Sequence, residues 1–126
     1  MSFSNTYETN VLKWALNADA VTRPTAWYVA LFTTDPTDAD TGTEVSGGSY
    51  ARTAVTFSVT GNLATNSAGV EFPAATASWG TVSHIGVYDA STGGNLIIHS
   101  ALTTAKAITD GDVFRIPLND LDFTLD

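Results

Sequence analysis

Asp35, Asp38, Asp40 and Glu44, with Gly42 among them, come closest in this chain to a set of metal ligands. Calcium needs several oxygen donors gathered on one turn. The EF-hand order of Asp, Asp/Asn, Asp/Asn, Gly and a distal Glu is not met, because Asp35 and Asp38 are three apart and no Glu stands at the required offset. The plain alternative is an Asx/Pro turn that keeps an exposed loop solvated, and it is the expectation here. His84 and His99 fall on different expected strands and could meet across a sheet, but with no third ligand in sequence they make no zinc site. They read as half-buried strand residues, with a pH-linked contact as the chemistry open to them. A hydrolase nucleophile would announce itself as G-x-S-x-G on a strand-to-helix elbow. Ser46-Gly47-Gly48-Ser49 is a flexible turn with no helix pattern after it. Asp110, Asp112, Asp120 and Asp122 could supply a carboxylate pair for glycoside cleavage. They sit beside turns or alternate outward, so solvated acids are expected. No catalytic residue, cofactor or metal is assigned.

The elements around these residues read almost entirely as β. One helix is expected from about Thr6 to Leu16, capped by Asn5 with Glu8 three residues on. It sets Tyr7, Val11, Trp14 and Ala15 on one face. Eleven residues make a marginal helix alone, so it must dock on this domain's sheet or on a neighbouring subunit. Thr22-Arg23-Pro24 ends this lead-in. Ala26–Thr33 is nearly all apolar, as in a strand buried on both faces. Tyr50–Val59 alternates, with Ala51, Thr53, Val55, Phe57 and Val59 on one side. Gly61-Asn62 marks a turn. Short strands follow at Val70–Phe72, closed by Pro73, and at Val82–Tyr88. The loop Asp89–Gly94 leads to a partner strand, Asn95–Leu102. Asp110-Gly111 predicts a tight hairpin between Ala105–Ile108 and Asp112–Ile116. Leu121, Phe123 and Leu125 alternate in a last strand.

The sum is an all-β domain, an antiparallel β-sandwich or barrel-like fold of about 7–8 short strands with one short N-terminal helix. Residues 1–126 are one domain. Its lead-in covers 1–20, and its β body covers 26–126 with the long acidic loop 34–49, a length associated with function. Of the aromatic residues, Trp27 and Tyr28 sit in a buried-looking strand. Trp79 and Tyr50 are the expected surface residues. With Tyr7, Val11 and Trp14 of the helix they form the candidate interface.

Composition removes whole classes of function. The 126 residues carry 13 acids against 5 bases, a net charge of −8. Lys13, Arg23, Arg52, Lys106 and Arg115 are scattered, so no stripe exists to neutralise phosphates and nucleic acid is not a partner. There are no cysteines, which excludes disulfides and thiolate chemistry. The start, MSFSNTYETN, has neither the basic region nor the apolar core of a signal peptide. No apolar run approaches the ~18 residues of a membrane span. Synthesis in the cytoplasm and no membrane partner are expected. Charged residues make up only 14% of the chain, against the usual ~25%. A low-charge surface rich in Thr, Ser and Gly suits a part that assembles by contact.

Two long segments carry a resemblance. Val29-Ala30-Leu31-Phe32-Thr33-Thr34-Asp35-Pro36 and then Gly42-Thr43-Glu44-Val45-Ser46-Gly47-Gly48-Ser49-Tyr50-Ala51-Arg52 form the first. Phe72-Pro73-Ala74-Ala75-Thr76-Ala77 and Trp79-Gly80-Thr81-Val82-Ser83-His84-Ile85-Gly86-Val87-Tyr88-Asp89-Ala90, with Gly93-Gly94-Asn95-Leu96 and Ala101-Leu102-Thr103, form the second. Together they resemble small tailed-bacteriophage virion proteins labelled tail-fibre-like. The resemblance implies a non-enzymatic structural protein of the virion, tail- or fibre-associated. Its partners would be copies of itself, with a trimer as first candidate, and other virion proteins. A capsid decoration (cement) protein is the alternative placement. A carbohydrate-binding module using Trp79 and Tyr50 against a host-surface glycan is the alternative activity. No catalytic or binding residue of the family is carried over.

Overall fold

The computed structural model describes residues 1–126. One helix, α1 (Asn5–Leu16), follows a two-residue strand β1 (Ser2–Phe3). Nine further strands follow: β2 (Tyr28–Phe32), β3 (Thr53–Ala54), β4 (Phe57–Thr60), β5 (Leu63–Asn66), β6 (Val70–Glu71), β7 (Gly80–Tyr88), β8 (Leu96–Ile108), β9 (Arg115–Ile116) and β10 (Asp122–Thr124). They form three antiparallel sheets, in the orders β1-β8-β7-β2-β3, β10-β5-β4 and β6-β9. The all-β, sandwich-like class expected from the sequence holds. The strands number ten where seven or eight were expected.

Ser4, not Asn5, caps α1. Its hydroxyl accepts the Tyr7 N–H at 3.3 Å and donates to the Leu96 carbonyl. Ser and Asn are equal as caps by propensity. Ser4 takes the position because one short hydroxyl can serve both the helix start and β8. The start of the chain is therefore part of the sheet: Ser2 and Phe3 pair with His99 and Ile98, and Phe3 packs on Phe123 with ring centroids 4.8 Å apart.

Three strand expectations are corrected. Tyr50–Val59 is not one strand, because the chain changes sheets in its middle. β3 pairs with β2, Val55 N–H donates to the Trp27 carbonyl, and β4 then pairs with β5. β5 itself was not expected. Leu-Ala-Thr-Asn has little strand propensity, and the Gly61-Asn62 turn folds it back onto β4 with Leu63 opposite Thr60. The turn at Asp110-Gly111 exists, with Asp112 N–H donating to the Thr109 carbonyl. Its two arms do not pair with each other. β8 stays on β7 as far as Ile108 opposite Gly80, while β9 crosses to β6 and sets Ile116 opposite Val70. A turn residue fixes a reversal of direction, and the burial of Phe114 and Ile116 decides the partner.

β7 also breaks strict alternation. Val82 pairs with Lys106 and His84 with Ala101, so Leu102–Ala105 of β8 face Ser83 alone. The extra residues lie on β8, where the ladder is interrupted. Val82, Ile85 and Val87 of β7 all belong to the main core. That core joins the sheets through Val29, Leu31, Phe72, Trp79, Phe114 and Leu121.

Candidate functional site

The acidic loop does not hang free. It returns along β2, with Thr33 N–H donating to the Thr43 carbonyl, Val45 N–H donating to the Leu31 carbonyl, and Phe32 bridging Glu44. Asp35 Oδ1 accepts the Thr37 N–H at 2.9 Å, the expected Asx turn. Thr37 and Asp40 take positive φ of 58° and 57°. Pro36 is buried, and a Cβ on Gly42 would meet its Cα at 2.6 Å. Only glycine lets the two backbone segments pass that closely.

The acids expected to be solvated are instead partnered. Glu44 receives the Arg52 guanidinium through both oxygens, each at 2.9 Å, and the Tyr50 hydroxyl at 2.6 Å. Arg52 also donates to the carbonyls of Ala90 at 3.0 Å and Gly93 at 2.8 Å. Its guanidinium lies 3.7 Å from the Tyr88 ring centroid, and the Tyr88 hydroxyl donates to Asp40. The planar fork of Arg thus ties loop 34–49 to the loop after β7. Burial opposes its charge, but the hydrogen bonds and charge of Glu44 outweigh that and raise its pKa. The phenols of Tyr50 and Tyr88 are pushed far up, first by burial and then by hydrogen bonding to Glu44 and Asp40. Both are neutral donors.

The two histidines face the same loop. His99 Nε2 lies 2.7 Å from Asp38 Oδ1, which also accepts the Ser2 hydroxyl at 3.2 Å. The His99 hydrogen bond, more than any other contact, lowers the Asp38 pKa. Asp35 stands 4.0 Å from His84 Nε2 and 3.9 Å from His99 Nδ1. Ser83 Oγ is 2.8 Å from His84 Nδ1, which brings a Ser–His–Asp series into one line. In a closed catalytic triad such hydrogen bonds span about 2.6–3.2 Å; the His84–Asp35 separation here is 4.0 Å. No three His, Asp or Glu side chains gather as metal ligands would.

The remaining acids are scattered. Asp112 accepts from the backbone and hydroxyl of Thr109, which lowers its pKa, and Asp122 accepts from Thr65. Ser46–Ser49 is a turn with Gly47, Gly48 and Ser49 all at positive φ.

The five interface candidates separate. Trp79 is corrected: it is 4% exposed, and its indole N–H donates to the Gly48 carbonyl at 2.9 Å. Its loop-like neighbours, Ala77-Ser78 and Gly80, concealed a core anchor. Tyr50 is half-buried, stacked on Phe72 and edge-on to Trp79 with centroids 6.2 and 5.4 Å away. Both rings are packed against the core. Tyr7 is buried, and its hydroxyl donates to Asp89 at 2.8 Å. Val11 is half-buried, and Trp14 is 77% exposed. Helix α1 therefore docks on its own body by the first turns alone.

Beside it lies a feature the sequence did not announce. An open groove of about 400 Å³ runs between the five-stranded and three-stranded sheets, walled by Trp27, Phe57, Val59, Leu63, Phe123 and Leu125 among others. Arg23 lines this groove and also the cleft under Val11 and Trp14. The only signal in sequence was the phase of Phe57, Val59 and Leu125. It predicted apolar strand faces and gave no hint that the sandwich stays open along them.

Against this geometry, residues 2–124 match the family model described as "Podophage GP4 fiber I protein gp80". No curated protein matches the chain.

Proposed function

The chain belongs to the podophage GP4 fiber I protein gp80 family, and from that membership we propose that it is a non-enzymatic, tail- or fibre-associated structural protein of a bacteriophage virion. It is made in the host cytoplasm and carried on the particle. It assembles with copies of itself, a trimer being the first candidate, and with other virion proteins. The observation that carries this reading is the family match over nearly the whole chain, from residue 2 to residue 124. The family's description favours the tail over a capsid-decoration role. The polar side chains agree with a structural part: Arg52, Glu44, Tyr50, Tyr88, Asp40, Asp38 and His99 are committed to one another. A glycan-stacking role has less support, because Trp79 and Tyr50 are packed in the body.

Purified phage particles test the proposal. Peptides of this chain are expected in their mass spectrum, and antibody-gold label is expected at the tail. Label on the head, or absence from purified particles, overturns it.

A further inference from the structure

Residues 11–16, Val-Leu-Lys-Trp-Ala-Leu, are apolar on every side of α1 except at Lys13. A helical stretch apolar all round belongs in an interior. Here Leu12, Trp14 and Leu16 are 59%, 77% and 78% exposed. At 100° per residue Leu12 and Leu16 lie opposite the docked Tyr7, so the chain's own body cannot cover them. The same chain leaves the intersheet groove open, with Val59 and Leu125 more than half exposed at its mouth.

We infer that a second copy of this chain covers both features: the C-terminal half of α1 of one copy seats in the intersheet groove of another. This rests on the structural-protein reading above and names its contact. Three observations favour a second copy over an unrelated partner. Each copy supplies both the protruding and the receiving surface. None of the chain's 13 acids lines the groove or the cleft under Trp14; copies of net charge −8 meet with least repulsion on such a face. Leu12 and Leu16 of one copy and Val59 and Leu125 of the other also expose, across the two sides of the contact, roughly 400 Å² of apolar surface, taking ~100–200 Å² per side chain. That is an apolar centre of about a quarter of a standard contact of ~1,600 Å² in total.

The chain has no cysteine, so site-specific cross-linking needs no background removed. Full-length Leu16→Cys and Val59→Cys are prepared separately and treated with a short bismaleimide, alone and mixed. The mixture is expected to give covalent dimers at least roughly 10-fold more efficiently than either variant alone. Light scattering is expected to show wild type as an oligomer, and Leu16→Glu, with an unchanged far-ultraviolet spectrum, to weaken self-association by about 10-fold or more, as loss of an interface anchor does. Equal cross-linking in all three samples, or a monomeric wild type, overturns the inference. A monomeric wild type that is nonetheless found on phage tails leaves the fibre assignment standing and assigns the exposed helix to another virion protein.

Discussion

Loop 34–49 and the far half of α1 exchange the roles their compositions suggest. The loop is polar and acidic, the kind of segment that stays in water, and it is fastened to the body at Glu44, Asp40 and Asp38. The helix end is apolar, the kind of segment that packs, and Trp14 and Leu16 stand in solvent. Charge-assisted bonds to a bidentate Arg are strong enough to order a loop within a single copy. Apolar side chains have no such directional partner and gain only where surface is removed from water. The fastened loop has its partners within the chain, and the bare helix end has none there.

The largest expected effect breaks the fastened side. Arg52→Ala removes every donor from Glu44 except the Tyr50 hydroxyl, and it uncovers the Tyr88 ring. Breaking one partner out of a mostly buried ion pair costs about 3 kcal/mol or more, and urea unfolding of the variant is expected to show a loss of that size. Arg52→Lys is expected to recover little, since an ammonium cannot match two carboxylate oxygens and two carbonyls at once. A loss below about 1 kcal/mol, the level of an exposed ion pair, would mean that the loop is held by its backbone pairing alone.

A smaller effect sharpens the same side through pH. Tyr7, Tyr50 and Tyr88 have phenol pKa values raised by burial first and by their carboxylate partners next. A folded-state value above the ordinary 10.0 gives stability that is whole below that pH and is lost as pH rises through it. The melting temperature is expected to start falling near pH 10, and Tyr50→Phe is expected to flatten the fall. Asp38 works in the other direction. Its pKa is lowered from 3.8, so its contribution is present above that value and is lost as pH falls further, weakly, because the carboxylate is exposed.

Legibility in the sequence followed how local the cause was. The first core strand, the Asx turn at Asp35 and the reversals at Gly61, Gly93-Gly94 and Asp110-Gly111 come from residues acting within a few positions, and they could be read. The cap passed from Asn5 to Ser4 because of a carbonyl 92 positions away, at Leu96. The strand from Tyr50 divided because Val55 and Thr56 answer to different neighbours, Trp27 and Ser67. The small residues around Trp79 point to a surface position, and the Gly48 carbonyl that holds it in the core is 31 positions distant. The acids of the loop suffered the same fate: their spacing excluded an EF-hand, but nothing in their order named Arg52, Tyr88 and His99 as partners. The groove is a gap between sheets. It is a property of how far apart two faces sit, which alternation along one strand does not encode.

The smallest expected effect belongs to the bare side. Leu16→Gln replaces a side chain 78% exposed by one of similar length with equal or better fit to water. Substitutions at such positions usually change stability by no more than about 0.5 kcal/mol. In dilute solution, where copies are apart, its urea midpoint is expected to coincide with wild type. In concentrated solution the two should diverge, because assembly adds stability by mass action to the chain that assembles. A Leu16→Gln chain destabilised at every dilution would show that the helix end already packs within one copy, and the contrast between the two regions would dissolve. A difference that grows with protein concentration separates folding from assembly in one side chain: Leu16 would then contribute nothing to the first and much to the second.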